Sequence, residues 1–470
     1  MSQNELGIVG GKVQPRVSAS HWSELWRKED WWATWLGLAI TLIGLVLFIN
    51  GSSWRWVAVV PGKWTTIAQL TQHFAENWLR YVAQFALWSV TFASALSIMG
   101  HDARKFLPAF VFVYVLSVIV FVIGQWDVAN FYGFEAPLVA LLAGLLIANL
   151  IGLPRSLDIG FRVEFYIKTA IVLMGATVPF TLIVWAGPVV IVQASIVSLV
   201  TFGIIYSVAV RLGLDKRLAA TLGAGGAVCG VSAAIAIAGA VGAKKEHAPI
   251  AITLVLLFAI PMIFILPFVA HALNLPAGVA GAWIGTSELA DAAGLAAAQT
   301  YAGLTDGDIA GATVGTGEQA VLAFTLMKVV GRDVWIGIWA FVLAIVATTR
   351  WNEGEPGRKP KASEIWIRFP KFVIGFLAAS LIVTWVTRDY GLADFNRVVN
   401  PDFVAPIKDL RTWAFIFCFL SIGLSTRIRE LKGVGGKPLA AFSIGVAVNV
   451  VLGFVLSAWL FAEYWTNFAP

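Results

Sequence analysis

The chain of 470 residues is 59% hydrophobic and only 13% charged, with a mean hydropathy of +0.81, a composition that excludes a soluble globular domain of this size. Its net charge of +6 rests on Lys and Arg gathered mostly in short segments between apolar runs, a pattern of loops flanking a bilayer rather than of a nucleic-acid surface. Cys229 and Cys418 both lie inside apolar segments, which excludes a disulfide framework.

A polar N-terminal stretch with Arg16, Arg27 and Lys28 precedes apolar windows near 31–50, 79–99, 106–123, 137–152, 166–184, 188–210, 248–271, 317–348, 370–387, 412–426 and 438–461. About twenty apolar residues cross the roughly 30 Å hydrocarbon core, so these windows predict about eleven transmembrane helices. Between them, positive charge gathers at His101 to Lys105, Arg155 to Arg162, Arg211 to Arg217, Lys244 and Lys245, Arg350 to Lys371, and Arg427 to Lys437. Segments 124–136, 185–187, 272–278, 303–316 and the C-terminal tail carry no Lys or Arg. The positive-inside rule makes the first set cytoplasmic and the second external. Segment 388–411 holds Arg388, Arg397, Lys408 and Arg411 and is outvoted by its neighbours. The N-terminus is then inside and the C-terminus outside.

Two further stretches, 217–242 and 280–302, interrupt membrane-grade sequence with glycine and small polar residues. In hydrocarbon a helix opens only where it is buried in protein or lines a watery cavity, and paired interruptions are the best sequence pointer to a transporter's binding site. Arg217 and Lys244 bracket the first stretch; Asn274 and Asp306 bracket the second. Each stretch therefore enters and leaves on one side, which predicts re-entrant hairpins from opposite faces; a single crossing helix with an unwound centre is the alternative. The run Leu173 to Phe180, followed by Gly187 and Pro188, is similar to Leu420 to Thr426, followed by Gly435 to Pro438, in inverted orientation. The expected organisation is an accessory N-terminal part over 1–130, a first inverted-repeat half over 131–272 and a second over 273–470, with 351–366 as a cytoplasmic linker.

The runs Ala136-Pro-Leu-Val-Ala-Leu-Leu-Ala-Gly-Leu-Leu-Ile-Ala-Asn149, Val172-Leu-Met-Gly175, Gly226-Ala-Val-Cys-Gly-Val-Ser-Ala-Ala234, Lys244-Lys-Glu246, Gly285-Thr-Ser287 and Phe369-Pro-Lys-Phe-Val-Ile-Gly-Phe376 resemble the sulfate exporter family, bacterial inner-membrane proteins also described as conserved hypothetical. The Cys-Gly-x-Ser-Ala motif is the most specific part. That family is similar in organisation to sodium–proton antiporters, bile-acid symporters and citrate carriers, and the resemblance implies a scaffold plus a core holding two broken elements. The second motif departs from the family's pattern: relatives tend to continue with His and an acidic residue, whereas Glu288, Leu289, Ala290 and Asp291 stand here.

Opened helix ends present unpaired N–H groups and a positive dipole end, which bind anions without a side-chain cation. The candidate substrate-binding residues are Gly225, Gly226, Ala227, Val228, Cys229, Gly230 and Ser232 in the first stretch and Gly285, Thr286 and Ser287 in the second. Tight helix packing is the other use of such small residues. Lys328, inside span 317–348 with Arg332 one turn on, is placed to face the anion or to snorkel at an interface. Glu288, Asp291 and Glu318 are candidates for a coupling proton or Na⁺. Asn449, Gln193, Ser195 and Ser198 are read as bridges between helices.

The fold expected is thus an all-α polytopic membrane protein of inverted-repeat transporter type, in a bacterial inner membrane. Its expected function is secondary transport of a small anion (sulfate, sulfonate or carboxylate), with an anion channel or a Na⁺/H⁺-coupled organic-acid symporter as alternatives. A homodimer is expected, with the lipid bilayer and a small anion as partners and no nucleic acid, metal or cofactor. No H-E-x-x-H, G-x-S-x-G or P-loop pattern occurs and the five His are scattered, so no enzyme is expected.

Overall fold

Apolar runs of about twenty residues satisfy their backbone in a bilayer as helices, and among the described residues the computed structural model has no strand besides a two-residue pair, Ile8–Val9 with Lys12–Val13. It describes residues 8–9, 12–13, 24–131, 136–178, 180–244, 246–306, 314–351, 366, 369–390, 394–427 and 435–468; the linker expected at 351–366 falls almost wholly outside them. The main helices are α1 (Glu29–Ile49), α2 (Ile67–Ile98), α3 (Ala103–Gly124), α4 (Ala136–Ile151), α5 (Val163–Gly175), α6 (Phe180–Arg211), α7 (Lys216–Ala227), α8 (Val231–Ala240), α9 (His247–Ala272), α10 (Ala277–Ser287), α11 (Asp291–Asp306), α12 (Gly317–Trp351), α13 (Lys371–Thr387), α14 (Ala405–Ser425) and α15 (Gly436–Leu460).

Among the described residues, seven helices are long and apolar enough to cross a membrane: α1, α2, α3, α6, α9, α12 and α15. The other four expected windows fall on α4, α5 and α13, which are shorter, and on α14, whose first half carries Lys408, Asp409 and Arg411.

Three boundaries differ from expectation for identifiable reasons. Helix α2 begins at Ile67, not near 79, because Thr66 and Gln69 form a capping box and the exposed Gln72 and Glu76 give its first turns a polar face that a hydropathy window misses. The external loop expected at 185–187 lies inside α6, which absorbs the Gly187-Pro188 pair, as membrane helices tolerate. The segment read as loop 388–411 is helical from Phe395, where a π-helical stretch, Phe395–Val404, runs into α14.

By contact the chain divides into two units, 20–184 with 371–427, and 185–370 with 428–469 and 1–19. This division cuts across the expected halves 131–272 and 273–470. In the unit of 20–184 and 371–427, buried rings of Trp88, Phe92, Phe110, Tyr166, Trp413 and Phe417 form a continuous layer. At one end Lys168 pairs with Asp30 at 2.9 Å and Glu164 at 3.2 Å. Helices α4 and α14 cross at glycines: a Cβ on Gly144 would lie 2.6 Å from the Leu420 oxygen, and one on Gly423 would lie 2.5 Å from the Leu141 oxygen. Gly144→Leu is therefore expected to cost about 1–3 kcal/mol through overpacking, read as a lower melting temperature in detergent; an unchanged one would show that the crossing yields.

Candidate functional site

The unit of 185–370 and 428–469 contains both glycine-interrupted stretches, and each is a hairpin. The first runs up α7, turns at Val228–Gly230 and returns as α8. Gly230 makes the turn with φ +73° and ψ −110°, a region that an L side chain enters only with strain. The arms come back together: Arg217, at the start of α7, donates from Nη1 to the Gly242 oxygen beyond α8 at 2.9 Å, and a Cβ on Gly225 would sit 3.6 Å from that of Ala234. The second runs up α10, turns at Glu288–Ala290 and returns as α11. Its arms also meet, since the Tyr301 hydroxyl donates to the Leu275 oxygen at 2.5 Å.

Helix α9 joins the end of the first hairpin to the start of the second with 26 residues, about 39 Å at 1.5 Å per residue. The two open ends therefore lie far apart while the tips meet: a Cβ on Gly230 would be 3.0 Å from the Leu289 oxygen. Two hairpins thus approach from opposite ends of a membrane-length helix and touch in the middle. An unwound but straight crossing element would leave Arg217 and Gly242, or Leu275 and Tyr301, far apart.

Where α7 and α10 stop, their last carbonyls lack helical partners and carry the negative end of the helix dipole. Lys328 and Arg332, in a π-helical turn of α12 (Leu326–Arg332) and both fully buried, supply the missing donors. Lys328 Nζ donates to the oxygens of Val228 at 3.0 Å, Glu288 at 2.8 Å and Leu289 at 3.0 Å. Arg332 donates to Ala227 at 3.3 Å, Gly226 at 3.2 Å, Gly285 at 3.2 Å, Thr286 at 2.8 Å and Glu288 at 2.9 Å. One pair of cations therefore caps and ties both tips. An ammonium has three donors, and all three of Lys328 go to main-chain carbonyls. The expected direct contact between Lys328 and an anion is not what this arrangement offers, and complete burial removes the snorkelling alternative.

Asp291 lies 3.8 Å from Lys328 Nζ, and ligand atoms of Cys229, Asp291 and Asp333 fall within 4.8 Å of one another. Such a trio could hold a metal ion, but a divalent ion there would stand beside the Lys328 ammonium in a low-dielectric interior, where like charges repel strongly. The trio fits neutralisation of the two cations better.

The sequence-predicted residues distribute as follows. Gly225, Gly226 and Ala227 form the last turn of α7, Val228, Cys229 and Gly230 the first tip, and Ser232 the half-buried first turn of α8. Gly285, Thr286 and Ser287 close α10, with Glu288 in the second tip and Asp291 opening α11. Several glycines serve contact between helices: a Cβ on Gly226 would lie 2.4 Å from Ile205 Cδ1, and one on Gly285 2.9 Å from Met327 Cβ. Thr286 spends its hydroxyl on Ala282 and Trp283 of its own helix. Glu318, exposed at the start of α12, is not brought to the tips. Asn449 bridges helices as expected, donating to the Ser287 oxygen at 2.8 Å and accepting from Thr201 at 3.0 Å; Gln193 reaches Ser457 at 2.8 Å. Asp333 was missed, and only its position beside Arg332 signalled it.

Residues 108–442 match the family described as conserved hypothetical protein 698. A UPF0324 membrane protein of Nitratidesulfovibrio vulgaris is 36% identical over 377 residues, covering 79% of this chain and 62% of the relative; the match thus spans less than two thirds of that relative's length. UPF0324 membrane protein RB9488 of Rhodopirellula baltica is 33% identical over 405 residues, 85% of this chain and 71% of the relative. UPF0324 membrane protein NE0724 of Nitrosomonas europaea is 28% identical over 479 residues, 94% of this chain and 96% of the relative. No solved structure matches.

Proposed function

The chain belongs to the family described as conserved hypothetical protein 698, and from that membership together with the hairpin geometry we propose that it is a secondary active transporter of a small anion. The observation that carries this reading is the pair of hairpins with touching tips at the middle of a membrane-length helix. Discontinuous helices at mid-depth are the usual substrate and ion sites of transporters, and an interior of this kind has no purpose in a protein that only spans.

In this reading the four short or charged helices also cross, giving eleven spans and two re-entrant hairpins in an inverted-repeat arrangement in a bacterial inner membrane, with a homodimer as the assembly. The first hairpin opens beside Arg217 and Lys244 and the second beside Asn274, so the first opens to the cytoplasm and the second outside. Cysteines placed at the exposed Lys244 and Asn274 are expected to label from opposite faces of inside-out and right-side-out vesicles. Labelling of both from one face would contradict the opposed hairpins.

The anion is an oxyanion or carboxylate such as sulfate, a sulfonate or an organic acid. It is received by the opened N-terminus of α8, whose first N–H groups have no carbonyl one turn back within the helix and where Val231 and Ser232 are half-buried. The N-terminus of α11 already has acids beside it, with Glu288 accepting from the Leu289 N–H at 3.0 Å. A channel would need an open polar path, and the joined tips speak for alternating access instead. A thermal-shift screen of the purified protein against sulfate, sulfonates and short carboxylates is expected to find one class that raises the melting temperature; no shift from any of them would remove the anion from this reading.

A further inference from the structure

Three acids and two cations meet at the hairpin tips, each more than nine-tenths buried: Glu288 0%, Asp291 7% and Asp333 0% exposed, with Lys328 and Arg332 at 0%. With every acid and cation ionised and the Cys229 thiol neutral, this cluster holds one negative charge too many; the negative ends of α7 and α10 beside it are offset by the positive N-termini of α8 and α11. An uncompensated charge in a dry interior is strongly unfavourable. The packed neighbours do not supply the missing positive charge. Helix α9 has only its terminal His247 and His271, α15 has Lys437 at its far start and offers the neutral Asn449 here, α7 has Lys216 and Arg217 at its far start, and α8 has no ionisable side chain.

The acids differ in their surroundings. Asp291 lies 3.8 Å from the Lys328 ammonium; Asp333 and Glu288 both interact electrostatically with Lys328 and Arg332, but the Glu288 carboxyl forms no ion pair with either. Glu288 uses Oε1 to accept from the Leu289 N–H, but its Oε2 is buried without a partner, as is the hydroxyl of the adjacent Ser287. We infer that Glu288 is a proton-binding site: its Oε2 carries one proton while the tips are joined, which brings the cluster to neutrality, and releases that proton to water when the tips part. A proton needs no coordination shell, whereas a metal cation would stand beside the Lys328 ammonium in a low-dielectric interior, where like charges repel strongly. The inference rests on the transport reading only for why the tips should part; the proton itself follows from the charge count.

Infrared spectroscopy of the full chain in lipid nanodiscs tests this without any substrate. Wild type is expected to show a protonated-carboxyl C=O stretch at neutral pH that Glu288→Gln lacks. A band that survives Glu288→Gln, or the absence of any such band from wild type at neutral pH, would overturn the proposal. Should Glu288→Gln not fold, Glu288→Asp is expected to move the band, and a band left in place would overturn the proposal equally. A protein that shows the band yet moves none of the tested anions keeps the proton site and loses the transport reading, so the two failures are distinguishable.

Discussion

Replacing Lys328 by methionine is expected to destabilise the protein by about 3–5 kcal/mol, the range for removing one partner from a buried charged network. The ammonium is fully buried and spends its three donors on the oxygens of Val228, Glu288 and Leu289. Without it, those carbonyls lose a donor and Asp291 loses the cation 3.8 Å away. Buried groups left unsatisfied incur their full desolvation penalty. Because the same residue touches both tips, the loss falls on their union, and Arg332→Met is expected to behave alike. Scanning fluorimetry of the ligand-free protein in detergent measures it. Unchanged stability together with weakened anion binding would place Lys328 on the substrate and contradict the capping role.

Gly230→Val is expected to leave a folded protein whose tips cannot join. Its φ of +73° is strained for any L side chain and most of all for a β-branched one, and the new Cβ would stand 2.8 Å from Val255 Cγ1 and 3.0 Å from the Leu289 oxygen. At about 2 kcal/mol or more against the joined arrangement, the equilibrium constant for joining the tips falls more than tenfold, and anion flux falls with it, while the helices on either side stay folded. Gly226→Val is the control. Its Cβ would meet Ile205 Cδ1 at 2.4 Å between helices, so its effect is expected first in stability and yield. Equal behaviour of the two variants in both measurements would show that Gly230 is a packing residue like Gly226.

The positions of both tips were legible because glycine runs in apolar sequence have few uses, and the hairpin form was legible because Arg217 and Lys244 flank the first stretch while no Lys or Arg flanks the second. The spacing of Lys328 and Arg332 placed them on one helix face, but their partners are main-chain oxygens, which leave no mark in side-chain identity. Their role therefore emerged only from coordinates. The start of α2 was hidden by its polar first turns, and α6 because a Gly-Pro pair reads locally as a turn. The two units were hidden for a different reason: each is assembled from distant pieces of chain, a long-range property that local composition does not carry. That Gly226 and Gly285 face neighbouring helices likewise depends on which helices happen to be neighbours.

Proteoliposome flux under imposed gradients tests the central claim most directly. Vesicles containing the full chain are loaded with labelled sulfate, and in parallel with sulfonates and carboxylates, and pH and Na⁺ gradients are imposed separately. Transport is predicted to saturate with concentration, to be driven above equilibrium by one of the two gradients, and to fall to background in Gly230→Val. Flux that rises linearly with concentration and accumulates nothing against a gradient would make the protein a channel and contradict the account.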